Sequence, residues 1–370
     1  MNFDFSEEQK LLQKTARDYL SENAPLGLCR KILEGDESYS RELWQAAAEM
    51  GWLGAAIPEE YGGAGFGQLE LALIAEEVGR ALAPIPFSSS VYLATEALML
   101  AGTDEQKQRY LPRLASGELI GTFAIAERRG RPTPASIQTT FKAGELAGVK
   151  LPVPDGDVAG LAIVNARDDS GISLVIAELD APGVERETLT SIDPSRSLAR
   201  ISFQGARAEL LGTSGNGQEL AESILDRAAV LMAFEQVGSA ARAFEITKDF
   251  MMERYAFGRP IASFQALKHR LADLYVKIEL ARSNSYYGAW ALSSESPELA
   301  VAACGARASA SDAFDLASQE MVQLHGGVGY TWEFDCHLFY RRAKLLGLAL
   351  GNANEWRDKL IERLDRVSAA

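Results

Sequence analysis

Beyond Gly217 the chain carries four long segments whose apolar residues recur at helical spacing: Glu219 to Arg254, Ser263 to Ser293, Pro297 to Leu324, and about Leu338 to Val367. A helix with one apolar stripe has to bury it, and four such helices joined by short links can satisfy one another as a bundle. Gly347 and Gly351 mark where the last helix is expected to be interrupted. Between 120 and 216 the period changes. Phe123-Ala-Ile-Ala, Leu161-Ala-Ile-Val-Asn, Ile172-Ser-Leu-Val-Ile-Ala and Ile201-Ser-Phe are short β-branched and aromatic runs separated by turn clusters such as Asp168-Asp-Ser-Gly171. The expected fold is α+β and mainly α: an N-terminal helical domain (1–119), a small β domain (120–216) and a C-terminal four-helix bundle (217–370).

In the N-terminal part, Ser6-Glu-Glu-Gln9 is a capping-box pattern ahead of Leu12, Ala16, Tyr19 and Leu20 on one helical face. A second helix follows Ser40 and stops near Gly51. The glycine-rich Ile57 to Gly67 reads as an ordered loop, and helices are expected over Leu69 to Leu82, Ser88 to Leu100 and Asp104 to Ala115, the last bent or broken at Pro112.

Charge narrows the partners. With 37 Lys+Arg against 51 Asp+Glu the net charge is −14, which excludes wrapping of nucleic acid or docking on anionic lipid and requires a local basic spot for any anionic ligand. No apolar run reaches the length of a membrane span, and Met1-Asn-Phe-Asp-Phe lacks the features of a signal peptide, so a cytoplasmic location is expected. Cys29, Cys304 and Cys336 are widely spaced and accompanied by only three His, so neither a disulfide framework nor a metal site is expected.

Three segments have compositions that packing alone does not explain. Glu253-Arg-Tyr-Ala-Phe-Gly-Arg-Pro-Ile-Ala-Ser-Phe-Gln265 stops abruptly between two long helices and carries two arginines, the side chain best matched to phosphate oxygens. Read alone, it is equally a helix-hairpin link. Gln323-Leu-His-Gly-Gly-Val-Gly-Tyr-Thr-Trp-Glu333 places bare backbone and an amide after a helix, where Gly is otherwise only a cap. Arg341 to Arg357 runs from a basic patch into an apolar stretch broken at Gly351.

In this order and at these separations, the segments resemble the acyl-CoA dehydrogenase family over essentially the whole chain. Arg254 to Gln265 with His269 and Leu271-Ala-Asp, Gln323 to Tyr330, Pro58-Glu-Glu-Tyr-Gly-Gly, and Thr103-Asp-Glu-Gln-Lys with Tyr110 to Gly117 carry the likeness. The resemblance implies that Arg254, Phe257, Gln265, Gln323, Gly326 and Gly327 contact the adenine and pyrophosphate half of an FAD lodged mainly in a neighbouring subunit, in an assembly usually built as a pair of dimers.

Other expected family features are missing. The carboxylate that takes the α-proton of the acyl thioester follows an Arg-x-Ala-Lys segment; counting from Arg342-Ala-Lys344, that place is held by Leu350. Some relatives carry the base on the first long helix of the bundle, where this chain has Ala228; Asp226 lies two positions earlier, about 200° around the helix. Where relatives bind the flavin ring, this chain reads Ala126-Glu-Arg-Arg-Gly-Arg-Pro-Thr-Pro134 and Pro152-Val-Pro154, and Asn352 and Asn354 stand for a Thr and a Gln. Groups offered to a neighbour's FAD are kept while groups for a ring held in cis are lost. The resemblance therefore points to the non-catalytic subunit of an α2β2 acyl-CoA dehydrogenase. Such a subunit would complete the FAD site of a catalytic partner acting on a bulky, steroid side-chain type of acyl-CoA, with an electron-transfer flavoprotein as acceptor. The alternatives are a homomeric flavoprotein with base-independent acyl-CoA chemistry, and a flavin-free scaffold.

Overall fold

The computed structural model describes residues 5–128, 130 and 132–369. The helical start comprises α1 (Glu7–Asn23), α2 (Leu26–Glu34), α3 (Arg41–Glu49), α4 (Gln68–Arg80), a π-helical stretch Ser88–Thr95 that continues into α5 (Glu96–Ala101), and α6 (Asp104–Ala115). Ser6 and Gln9 cap α1 reciprocally, as the pattern requires. α6 runs through Pro112 without a break; the proline lies in its last turn, where one N–H bond to the preceding turn is given up. α2, too short and too mixed for a clear period, was not foreseen.

Seven strands follow: β1 (Gly121–Ala124), β2 (Thr140–Lys142), β3 (Glu145–Pro154), β4 (Leu161–Asp168), β5 (Gly171–Glu178), β6 (Val184–Leu189) and β7 (Leu198–Leu211). Pairings run β4–β2–β3–β7–β5 and return from β5 to β4, so these five close on themselves; β1 adds in parallel to β4, and β6 adds antiparallel to β7. β4 and β5 are buried almost throughout, which explains why they read as continuous apolar runs, whereas β6 (Val-Glu-Arg-Glu-Thr-Leu) is largely exposed and gave no signal. The last part contains α7 (Gly217–Glu253), a short hairpin of β8 (Tyr255–Ala256) and β9 (Arg259–Pro260), α8 (Gln265–Ser293), α9 (Leu299–Leu324), α10 (Cys336–Ala349) and α11 (Ala353–Ala369). Gly347 lies inside α10; the interruption falls at Gly351, whose φ of +97° suits only glycine.

Two compact units result: Met1–Arg30 with Gln68–Ala83 and Ala229–Ala370, and Lys31–Gly67 with Pro84–Ala228. In the first, α4 and α7 cross so closely that a Cβ on Gly79 would lie 1.9 Å from the Glu235 carbonyl oxygen and one on Gly238 would lie 1.9 Å from that of Glu76. Ser239 Oγ donates to the Gly79 carbonyl at 2.8 Å across the same crossing. Phe234, Phe314, Phe339 and Trp356 fill the core of this unit. Arg307 is fully buried among them, donating to Ser311 Oγ at 2.8 Å, to Gln236 Oε1 and to the Leu346 carbonyl. Burial pulls its guanidinium down to about 10, against the opposing charge of Glu235. Among the described residues no helix is long and apolar enough to cross a membrane, no group of His, Cys, Asp or Glu could hold a metal, and the three cysteines are buried and form no disulfide.

Candidate functional site

The Arg254 to Gln265 segment forms the β8–β9 hairpin and its exit into α8. Two residues, Phe257 and Gly258, make the turn at φ +53° and +78°, the pair of positive values of a type I′ turn. Glycine adopts this freely; phenylalanine does so only with strain. Phe257 is nevertheless 95% exposed, so no packing within the described chain repays that strain. Its ring stands edge-on to Phe264 at 6.2 Å, and the Arg259 guanidinium lies 4.1 Å over the same Phe264 ring. Phe264 is thus the platform of the hairpin, a role its plain apolar character had hidden. Arg254 is exposed and, among the described residues, its side chain makes no hydrogen bond or ion pair; the same holds for the Gln265 amide. Gln265 opens α8 behind Phe264, which has no side-chain oxygen for capping, so first-turn N–H groups of α8 stay available.

The Gln323 to Tyr330 segment ends α9 and turns through a short 3₁₀ helix, Gly326–Tyr330. A Cβ built on Gly326 or Gly327 would meet nothing within 4 Å, so neither is glycine for lack of room inside this chain. Gly326 needs its φ of +63°; Gly327 has no such requirement. Gln323 is exposed and accepts from Tyr330 Oη at 3.4 Å. The fold brings this turn to the same end of the helices as the hairpin. Phe250, in the last turn of α7, stacks on His325 at 4.2 Å, and Arg270 of α8 grips Glu320 of α9 through two bonds of 2.9 and 2.8 Å. His325 was not singled out in the sequence, although it lies inside the motif: its Nδ1 donates to the Met321 carbonyl at 2.7 Å, and burial holds it below the usual imidazole range.

The Arg341 to Arg357 segment carries no acid at the turn where one was sought. Leu350 ends α10, half-buried, and its carbonyl accepts from Trp356 Nε1 at 3.1 Å. Asn352 is the cap of α11: Oδ1 accepts from the N–H groups of Asn354 and Glu355 at 3.0 and 3.1 Å, while Glu355 Oε2 accepts from the Asn352 N–H at 3.1 Å. The nearest carboxylate in sequence is thus committed to closing the turn. Ala228 is fully buried within α7, and that helix is unbroken, so Asp226 does face away from its position.

In the β unit, the loop after β1 commits its carboxylate, Glu127, to the protein. Arg129 and Arg131 of the Ala126 to Pro134 stretch lie outside the described residues. Glu127 accepts from the N–H groups of Gln138 and Thr139 at 2.6 and 3.0 Å and from Lys150 Nζ at 2.6 Å, and Lys150 also donates to Asn165 Oδ1 at 2.6 Å. Burial lowers the ammonium of the fully buried Lys150 to about 8; burial likewise raises Glu127, but its hydrogen bonds outweigh this and leave it below the ordinary carboxylate range. Pro152 and Pro154, near the end of β3, have no N–H to give a ligand.

Residues 6–118 match the family model for the acyl-CoA dehydrogenase N-terminal domain, and residues 215–364 match that for its C-terminal domain. The chain is 32% identical over 338 residues to acyl-CoA dehydrogenase IpdE2 of Mycobacterium tuberculosis, covering 91% of each chain. Among solved structures it superposes on a chain of the ChsE4–ChsE5 complex from Mycobacterium tuberculosis with a TM-score of 0.89 at 27% identity, over 100% of this chain and 99% of that one. It matches a Tcur3481–Tcur3483 steroid ACAD with a TM-score of 0.89 at 28% identity, over 98% and 99%.

Proposed function

Because this chain belongs to the acyl-CoA dehydrogenase family, we propose that it is the non-catalytic subunit of an FAD-dependent α2β2 enzyme that dehydrogenates a bulky acyl-CoA, and that it completes the FAD site of a catalytic partner. The observation that carries the reading is the contrast between the two sets of groups. Arg254 and Gln265 have unspent donors, Phe257 presents its ring to solvent on a strained turn, and Gly326 and Gly327 leave open space. A diphosphate needs a fixed cation and amide donors, and an adenine needs an apolar face, so these residues fit that half of an FAD. The groups expected around a flavin ring are otherwise engaged, Glu127 with Lys150 and Asn352 with the α11 cap.

When bound, the flavin would accept the β-hydrogen of the acyl chain as hydride. This chain's residues would hold the distal half of the cofactor and shield it from water, and proton removal would fall to a carboxylate of the partner, since Leu350 and Ala228 have no basic atom. Heteromeric relatives whose names include a steroid ACAD support a ring-sized acyl group and an electron-transfer flavoprotein as acceptor is the family expectation. The three-part division at 1–119, 120–216 and 217–370 remains part of the proposal.

The test is Arg254→Ala with Gln265→Ala in this chain, co-purified with acyl-CoA dehydrogenase-like candidates from its genomic neighbourhood. Loss of bound flavin from a complex that still assembles supports the reading. Full flavin retention in the doubly substituted complex would overturn it.

A further inference from the structure

α1 and the start of α2, the end of α4 and α7 line a half-open cavity of about 150 Å³ within the first compact unit. Its polar lining holds three guanidinium groups, Arg17, Arg80 and Arg242, and one carboxylate, Glu77. Two of the three cations are committed. Arg17 grips Glu77 through Nε at 2.9 Å and Nη2 at 2.7 Å, and Arg80 grips Glu245 with both Nη groups.

Arg242 is different. Among the described residues its one ion pair is with Glu245 Oε2 at 3.5 Å, beyond good hydrogen-bond distance and already gripped by Arg80. Among the described residues Arg242 therefore donates no hydrogen bond, and it lines the cavity with guanidinium donors to spare. In a chain of net charge −14, the three arginines here face two carboxylates, Glu77 in the lining and Glu245 beside it, which leaves one positive charge in excess. Leu20, Ala24 and Leu26 give the lining an apolar part.

We infer that this cavity binds a small organic carboxylate, its oxygens held by the Arg242 fork and its short apolar body against Leu20, Ala24 and Leu26. The fork matches two carboxylate oxygens at once, and the apolar part of the lining gives an organic acid an advantage over an inorganic anion that has no carbon to bury. The site is distinct from the hairpin and the Gly326–Tyr330 turn and does not depend on the flavin reading.

Calorimetric titration of the full chain with hexanoate, at fixed ionic strength, tests it. Saturable one-site binding is expected, weakened at least about tenfold by Arg242→Gln. That substitution breaks no hydrogen bond of the fold, so its thermal midpoint should match the parent's. Lys14→Ala, which removes a charge from α1 outside the cavity, should leave binding unchanged. Absence of saturation by about 10 mM, or equal affinity in Arg242→Gln, would overturn the site. Phosphate binding as tightly as hexanoate would overturn the assignment to an organic acid.

Discussion

Replacing Glu127 with Gln removes the charge faced by a lysine that has no solvent to fall back on. Lys150 is fully buried, and its other partner, Asn165 Oδ1, is neutral. Removing one member of a buried pair costs about 3–5 kcal/mol. The Glu127 side chain keeps 10% of its exposure, which places the expected loss at the lower end, about 3 kcal/mol. Lys150→Met should cost less, because the carboxylate keeps two backbone N–H donors. The double variant should lie close to the parent, giving a coupling energy of about 3 kcal/mol or more. Urea unfolding followed by far-ultraviolet dichroism and tryptophan fluorescence reads these differences. There is also a pH signature. Lys150 is lowered from 10.5 to about 8 in the folded chain, so between those values the unfolded chain binds more protons. The stability of the parent relative to Lys150→Met must then rise as pH increases through that window. A Glu127→Gln variant within about 0.5 kcal/mol of the parent, or additive single effects, would refute the view that this loop has been turned to a structural use.

Gly238→Ala would push a methyl to within 1.9 Å of the Glu76 carbonyl oxygen. A loss of about 3 kcal/mol or more is expected, and an unchanged thermal midpoint would contradict the close crossing of α4 and α7. Phe257→Gly should leave the lone chain as stable or up to about 1 kcal/mol more stable, since it removes a side chain from a left-handed turn; the same change should strip flavin from the heteromer, read by absorbance after gel filtration. Asn352→Ala should cost about 1 kcal/mol through loss of the α11 cap, measured by chemical unfolding. Leu350→Glu should create no acyl-CoA-dependent dye reduction in the isolated chain; turnover there would mean that the carboxylate was its only deficit.

Much of the fold could be read from pattern. The Ser6–Gln9 box, the Ser40 cap and the long striped helices are local signals, and the structure carries each at the expected place. What escaped is decided by tertiary contact. β6 is exposed on all but its ends and has no apolar alternation, so it exists only because β7 offers it an edge. Gly347 and Gly351 look alike in sequence, but only Gly351 must adopt a positive φ, and only there does the helix end. In the candidate site, Arg254, Phe257, Gly326 and Gly327 are picked out by the resemblance to the family, through the motifs they belong to. His325 and Phe264 are not, since what they do depends on a carbonyl and on rings that only the fold brings near. The Arg242 cavity left no motif at all: three arginines from three helices, spread over more than two hundred residues of chain.

The ratio of flavin to polypeptide decides the main question most directly, measured on this chain purified alone and again in complex with a catalytic partner. Near zero alone, and about one flavin for every two polypeptides in the complex, is the expected pair of values. One flavin per polypeptide in a homo-oligomer of this chain would show that it holds a complete redox site of its own, and the division of labour between two kinds of subunit would fall.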